Sequence, residues 1–208
     1  MKREEQQEQS RNRILQAAIK EYGSKAFSET SINSICNEDG ISKGLVYHYF
    51  GNVDGLFLAC VKMCFDKLEA YLKENVSLNN ENRNGALNSF FSARYTFFEQ
   101  NPLLCNIFIV AMFQAPSHLQ NEIKNLHKSL EHFNKNFIYQ LIGCFELRKG
   151  FSKEEAIEYI ITFFNFYVSS FHSTIMKDFT QNDQLALSKY HMTKFMDMLL
   201  YGIFVQEK

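Results

Sequence analysis

Residues 31–57, SINSICNEDGISKGLVYHYFGNVDGLF, set how the rest of the chain is read. Gly40, between Asp39 and Ile41, suits a sharp turn because glycine adopts positive φ without the Cβ clash that other residues meet. Upstream, Ile32 and Ile35 are three apart and can share one face of a short helix, with Thr30 or Ser31 as its N-cap. Downstream, Ser42 is placed to cap a second helix, Lys43 to Phe50, and Asn52 a third with Asp54 in its first turn. In the second helix Leu45, Val46, Tyr49 and Phe50 are expected to face inward, leaving Lys43, Gly44, Tyr47 and His48 outward. A cation, a bare backbone, a phenol and an imidazole suit a nucleic-acid groove. Gly44 lets the backbone approach, Ser42 and the helix N-terminus can hold a phosphate, and Tyr47 and His48 can reach phosphates or base edges. A helical hairpin buried in a larger bundle has the same lengths, so the residues alone leave both readings open.

The run Arg13-Ile14-Leu15, Ala17-Ala18, Tyr22, Phe27, Thr30-Ser31, Ile35, Gly40-Ile41-Ser42-Lys43-Gly44, Tyr47-His48-Tyr49-Phe50 and Leu56-Phe57 resembles the N-terminal domain of TetR-family transcriptional regulators. The resemblance implies an all-α chain: a three-helix helix-turn-helix DNA-binding domain over residues 1–53, then a larger helical ligand-binding and dimerisation domain over 54–208, about nine helices in total. It makes Thr30, Ser31, Ser42, Lys43, Gly44, Tyr47, His48 and Tyr49 the expected DNA-contacting set. Three features depart from the family pattern. Asp39 stands where alanine is usual, Leu45 replaces a small or hydroxyl residue, and Gly51 and Val53 occupy positions where lysine is frequent. These departures define the alternative, a helical dimeric small-molecule-binding protein with a degenerate DNA-binding head.

The 208 residues include 21 phenylalanines and 10 tyrosines but only 2 prolines and 9 glycines, which favours long helices over a strand-and-turn fold. Net charge is −1, which argues against a charge-driven nucleic-acid binder. Within residues 1–50, Lys2, Arg3, Arg11, Arg13, Lys20, Lys25 and Lys43 are matched by Glu4, Glu5, Glu8, Glu21, Glu29, Glu38 and Asp39. DNA contact must then come from local placement rather than bulk charge. The N-terminus is polar throughout, no apolar run approaches the roughly 18 residues of a membrane span, and the five cysteines lack a disulfide spacing. The expectation is a soluble cytoplasmic protein with no membrane segment, no cofactor and no metal.

Along the chain, residues 1–9 read as a charged arm, and the first helix as Ser10 to Ser24, where Arg11 and Arg13 either reach phosphates or are plain solvated charge. A connector helix from Asp54 to about Asn75 carries Cys60 and Cys64 at i, i+4, which can share a metal or simply fill the core. After a polar break at 76–84 come helices from Gly85 to Gln100, from Leu103 to Gln114 with Pro102 in its first turn, and from Ser117 to Leu147. Ser152-Lys153-Glu154-Glu155 is a capping box that opens a helix to about Phe179, and a last helix spans about Asn182 to Phe204. These two terminal helices are apolar on more than one face, which suits a four-helix contact between two copies.

Residues 85–180 hold most of the aromatics, with lone polar groups among them. Aromatics at helical spacing are as a rule packed core. The family resemblance implies a ligand pocket here, for which Phe91, Arg94, Tyr95, Phe98, Phe113, Phe137, Phe164 and Tyr167 are the candidates. Aromatic walls favour a small, largely apolar or aromatic effector, and Arg94 can pair with a carboxylate, stack on a ring, or be a surface cation. The resemblance further implies that effector binding shifts the connector helix and so the spacing of two recognition helices. No nucleophile–base pair, acid pair, phosphate loop or metal cluster has a useful spacing, and an enzyme is not expected. The function implied is an effector-responsive dimeric regulator, a repressor, on a palindromic operator.

Overall fold

The computed structural model describes residues 2–76, 78, 83–144, 146–174, 194, 195, 197, 198 and 202. Among these the structure is all-α, without a β-strand: α1 Lys2–Ser24, a 3₁₀ turn Phe27–Glu29, α2 Ile32–Asp39, α3 Lys43–Phe50, α4 Val53–Asn75, α5 Arg83–Gln100, α6 Pro102–Phe113, a 3₁₀ turn Ser117–Leu119, α7 Gln120–Gly143 and α8 Lys153–Thr174. Of the ninth helix expected over 182–204, only residues 194, 195, 197, 198 and 202 are among those described, and these are helical. Among the described residues no single helix is long and apolar enough to cross a membrane.

Two boundaries differ from expectation. The N-terminal arm is helical from Lys2, a correction with a local cause: Glu4 and Glu5 in the first turn oppose the helix dipole, and Ser10 Oγ donates back to the Gln6 carbonyl at 2.8 Å. The helix expected to reach Leu147 stops at Gly143, where the Cys144 N–H turns to the Leu141 carbonyl at 3.1 Å, a tightened final turn.

The chain forms two compact units, Met1–Leu68 with Gln100–Lys128, and Glu69–Glu99 with Ser129–Lys208. This division runs through α4 and α7.

In the first unit α1 packs on α2 and α6, and α2 on α3. The stripe Ile14, Leu15, Ala18 and Tyr22 is buried, and Tyr22 donates its hydroxyl to the Val53 carbonyl at 3.0 Å, tying α1 to the start of α4. Its ring lies 5.1 Å from Phe57 and 6.0 Å from Phe27. Burial pushes the Tyr22 phenol well above its usual range, so it stays a proton donor. Next to Tyr22, at the same end of α1, Gly23 is a residue of contact. Asn106 Nδ2 donates to its carbonyl at 2.6 Å, and a Cβ built on it would stand 2.7 Å from both the Cβ and the carbonyl oxygen of Leu103. Only glycine lets α6 come this near. Cys60 and Cys64 are both fully buried, Cys64 Sγ donates to the Leu104 carbonyl at 3.3 Å, and burial pushes both thiols well up. They act as small core residues.

The second unit has its own core, in which Ala86, Phe90, Phe91, Phe137, Ile138, Leu141, Ile142, Ala156 and Ile160 are buried together. Phe90 and Phe137 stack at 4.5 Å, and Phe91 meets Phe90 edge-on at 5.3 Å. The capping box is present in both directions: the Glu155 N–H donates to Ser152 Oγ at 3.1 Å, and the Ser152 N–H to Glu155 Oε2 at 2.9 Å. That N–H holds the Glu155 carboxyl below the usual carboxylate range.

Candidate nucleic-acid interface

The α2–turn–α3 segment is built from local chemistry. Ser31 caps α2, its Oγ accepting from the Ser34 N–H at 3.1 Å. Gly40 ends the helix in the left-handed region, φ 60°, where its own N–H and that of Ile41 both reach the Cys36 carbonyl. Ser42 occupies the N-cap of α3 without a side-chain capping bond, and its carbonyl accepts from Leu45 and Val46. Asn52 caps α4, its Oδ1 accepting from the Gly55 N–H at 2.7 Å. Glu21, buried at the end of α1, is clasped by Lys25 at 2.9 Å, and Lys25 also reaches Ser34 Oγ at 3.4 Å on α2. This ion pair fixes α2 on α1 and uses one cation of an already neutral head.

On α3, Val46 is fully buried, while Tyr49 and Phe50 are half-buried. Ser42, Lys43, Gly44, Tyr47 and His48 are exposed together at the helix start and along one face, Tyr47 by 51%. Tyr49 packs edge-on against His48 at 5.0 Å and so orients that imidazole. Thr30 and Ser31 lie half-buried at the entry to α2, and their hydroxyls serve local bonds, Thr30 Oγ1 donating to the Phe27 carbonyl at 2.7 Å. Leu45 does not face inward. It is 41% exposed, because Val46 sets the buried direction and its neighbour turns about 100° away. Val53 has a backbone role as the acceptor of Tyr22, and the Asp39 side chain lies outside the described residues. Arg11 is exposed and sits over the Phe50 ring at 5.3 Å, which neither expectation for it included.

The effector candidates fare unevenly. Phe91 and Phe137 are buried in the second unit's core, and Tyr95 and Phe98 are half-buried on the same helix as Phe91. Phe113 is half-buried on α6 in the other compact unit. The side chains of Phe164 and Tyr167 lie outside the described residues. Arg94 is not a surface cation: it is 6% exposed, donates from Nη2 to Asn134 Oδ1 and stacks over the Phe90 ring at 4.6 Å. Burial lowers its pKa to about 9. Phe90 and Asn134 are therefore site neighbours that the sequence reading omitted. The i, i+4 spacing from Phe90 to Arg94 carried a usable signal, whereas Asn134 on a distant helix carried none. The lone histidines have structural neighbours. His118 Nε2 lies 3.2 Å from Asp54, His127 packs edge-on to Phe65 at 5.1 Å, and His132 bonds Asn136 at 2.9 Å.

Residues 14–60 match the family described as bacterial regulatory proteins, tetR family. The chain is similar to the HTH-type transcriptional regulator HbdR of Aromatoleum sp. (strain CIB), 30% identical over 33% of this chain and 30% of that protein. The match therefore spans less than a third of HbdR's length. It is also similar to IcaR of Staphylococcus epidermidis, the negative transcriptional regulator of the biofilm operon icaADBC, 23% identical over 74% of this chain and 79% of that one. Among solved structures, the regulator FadR of Bacillus subtilis in complex with stearoyl-CoA has the same fold, with TM-score 0.64 and 19% identity over 92% of this chain and 98% of that one.

Proposed function

We propose, on the match of residues 14–60 to the TetR family of transcriptional regulators, that the chain is a repressor binding a palindromic operator as a dimer and responding to a small molecule. The observation that carries the proposal is the exposed surface of α3. Lys43, Tyr47 and His48 are displayed on a helix fixed by Gly40, Val46 and the caps at Ser31 and Asn52. In this reading residues 1–53 bind DNA, and residues 54–208 bind the effector and dimerise. Lys43, Tyr47 and His48 contact the groove, while Ser42, Gly44 and Tyr49 seat the helix on phosphates, with Thr30 and Ser31 at the entry to α2 completing the set. Repression is favoured by the resemblance to IcaR, named a negative regulator.

Dimerisation through the last two helices is supported by exposed apolar side chains in the second unit, Phe166 at 66% and Met198 at 70%. The effector is a largely apolar or aromatic molecule. Support comes from the ring-rich core around Phe91, Phe137 and the buried cation Arg94, and from the stearoyl-CoA complex of a protein of the same fold. The effector acts by binding one spacing of the two recognition helices better than another, and its differential affinity sets the response. The chain is thus a cytoplasmic binding protein rather than an enzyme.

The test is selection of the purified protein against a random duplex library at near-physiological salt. The expected result is enrichment of an inverted repeat with half-sites about one DNA turn apart. A folded dimer that enriches no motif, with or without candidate effectors, would replace this reading with the degenerate-head alternative.

A further inference from the structure

We propose that Leu45 determines operator specificity by reading the 5-methyl group of a thymine in the major groove, an inference that rests on the DNA-binding reading above. Leu45 is 41% exposed in a helix whose buried direction is set by the fully buried Val46. At about 100° per residue, Gly44 and His48 form the centre of the outward face, with Tyr47 on one flank and Leu45 on the other. The centre of this face is bare backbone at Gly44: a Cβ placed there would meet only Ser42 Oγ, at 3.5 Å. A helix with no side chain at the middle of its reading face can sit deep in the groove, and the flanking side chains then reach base edges.

Leu45 is the third residue of α3, within the N-terminal part that enters the groove in helix-turn-helix docking. Its isobutyl group has no hydrogen-bonding atom, so it cannot read donors or acceptors. The one apolar feature on the major-groove edge of a base pair is the thymine methyl. Ser42, exposed at the start of the same helix, supplies a polar contact to phosphate, so an apolar contact at Leu45 adds sequence information rather than bulk affinity.

The experiment uses the operator recovered from the library, with each thymine replaced singly by deoxyuridine, which lacks only the methyl. The full-length wild-type dimer should lose about three- to fivefold in affinity at one thymine per half-site, the worth of one methyl buried. Leu45→Ala should bind the thymine and deoxyuridine forms of that position equally, and Leu45→Met, which keeps an apolar side chain, should retain discrimination. The assignment is overturned if no thymine responds to loss of its methyl, or if Leu45→Ala keeps the wild-type preference, which would place the methyl against another side chain such as Tyr47. Recovery of no operator at all would overturn the DNA-binding reading itself, a result distinct from either.

Discussion

The segment around Gly40 and the core around Phe90 are both built from helices, but they carry different kinds of information. Near Gly40 single atoms have single tasks: one hydroxyl caps α2, one glycine turns the chain at positive φ, one valine aims α3, and one amide caps α4. Near Phe90 the tasks are shared. Phe90, Phe91, Phe137, Ile138 and Leu141 bury one another, and a different set of similar volume would fill the same space. A surface that must present side chains in a fixed register needs the first kind of construction. A core that only has to exclude water is satisfied by the second.

The comparison predicts where size matters and where position does. Phe137→Ala should destabilise the protein by about 3–5 kcal/mol in urea unfolding, because a buried, stacked ring leaves a cavity. Phe137→Leu should cost about 1.5 kcal/mol or less, since neighbouring rings can shift into the difference. Gly23→Ala adds one methyl, yet it should cost about 2–3 kcal/mol, because that methyl meets the backbone of Leu103 at 2.7 Å and backbone cannot repack. If Gly23→Ala proves neutral, the first unit is as tolerant as the second and the contrast fails.

Arg94 is the exception within the second unit, a single polar residue with specific partners in a generic core. Its charge is desolvated, and one of its hydrogen bonds is to a neutral amide, Asn134 Oδ1. Replacing both, as Arg94→Met with Asn134→Leu, should stabilise the protein by about 1–2 kcal/mol at pH 7.5. The sign with pH follows from linkage. Burial lowers the folded-state pKa to about 9 from the ordinary 12.5, so the cost of the charge is present in full below pH 9 and is relieved as pH rises through that value. The stability gap between the double variant and wild type should therefore be smaller at pH 10 than at pH 7.5. A double variant less stable than wild type at pH 7.5 would make Arg94 a net contributor to the core and would dissolve the exception.

The same contrast explains what was legible in the sequence. Caps and turns are short-range, so Ser31, Gly40, Asn52 and the Ser152–Glu155 box could be read from a few neighbours, and α3 begins and ends where the sequence predicts. Leu45 was misplaced because an apolar residue beside a buried valine looks inward by composition, while the helical turn carries it out to the flank. The extension of α1 to Lys2 was missed because a run of charged and polar residues has no apolar stripe, although its first-turn glutamates favour a helix. In the second unit the candidate effector residues were chosen by type alone. Nothing in the sequence distinguishes Phe91 from Phe90, and the contact from Arg94 to Asn134 joins two helices that local patterns cannot pair.

The smallest effect is also the sharpest test of the position-specific unit, because it compares two serines at equivalent N-caps. Ser31 Oγ accepts from the Ser34 N–H, so Ser31→Ala should cost about 1 kcal/mol of stability. Ser42 holds the same place on α3 but makes no side-chain capping bond, so Ser42→Ala should cost about 0.3 kcal/mol or less, within the range of ordinary surface changes. If the exposed Ser42 hydroxyl serves a DNA phosphate, the same substitution should weaken operator binding by about three- to tenfold, the worth of one hydrogen bond. Urea unfolding and operator titration on the two variants then give opposite rankings, Ser31→Ala worse in stability and Ser42→Ala worse in binding. Equal stability losses with unchanged binding for Ser42→Ala would make it a plain structural cap, and the N-terminus of α3 would lose its assignment as a phosphate seat.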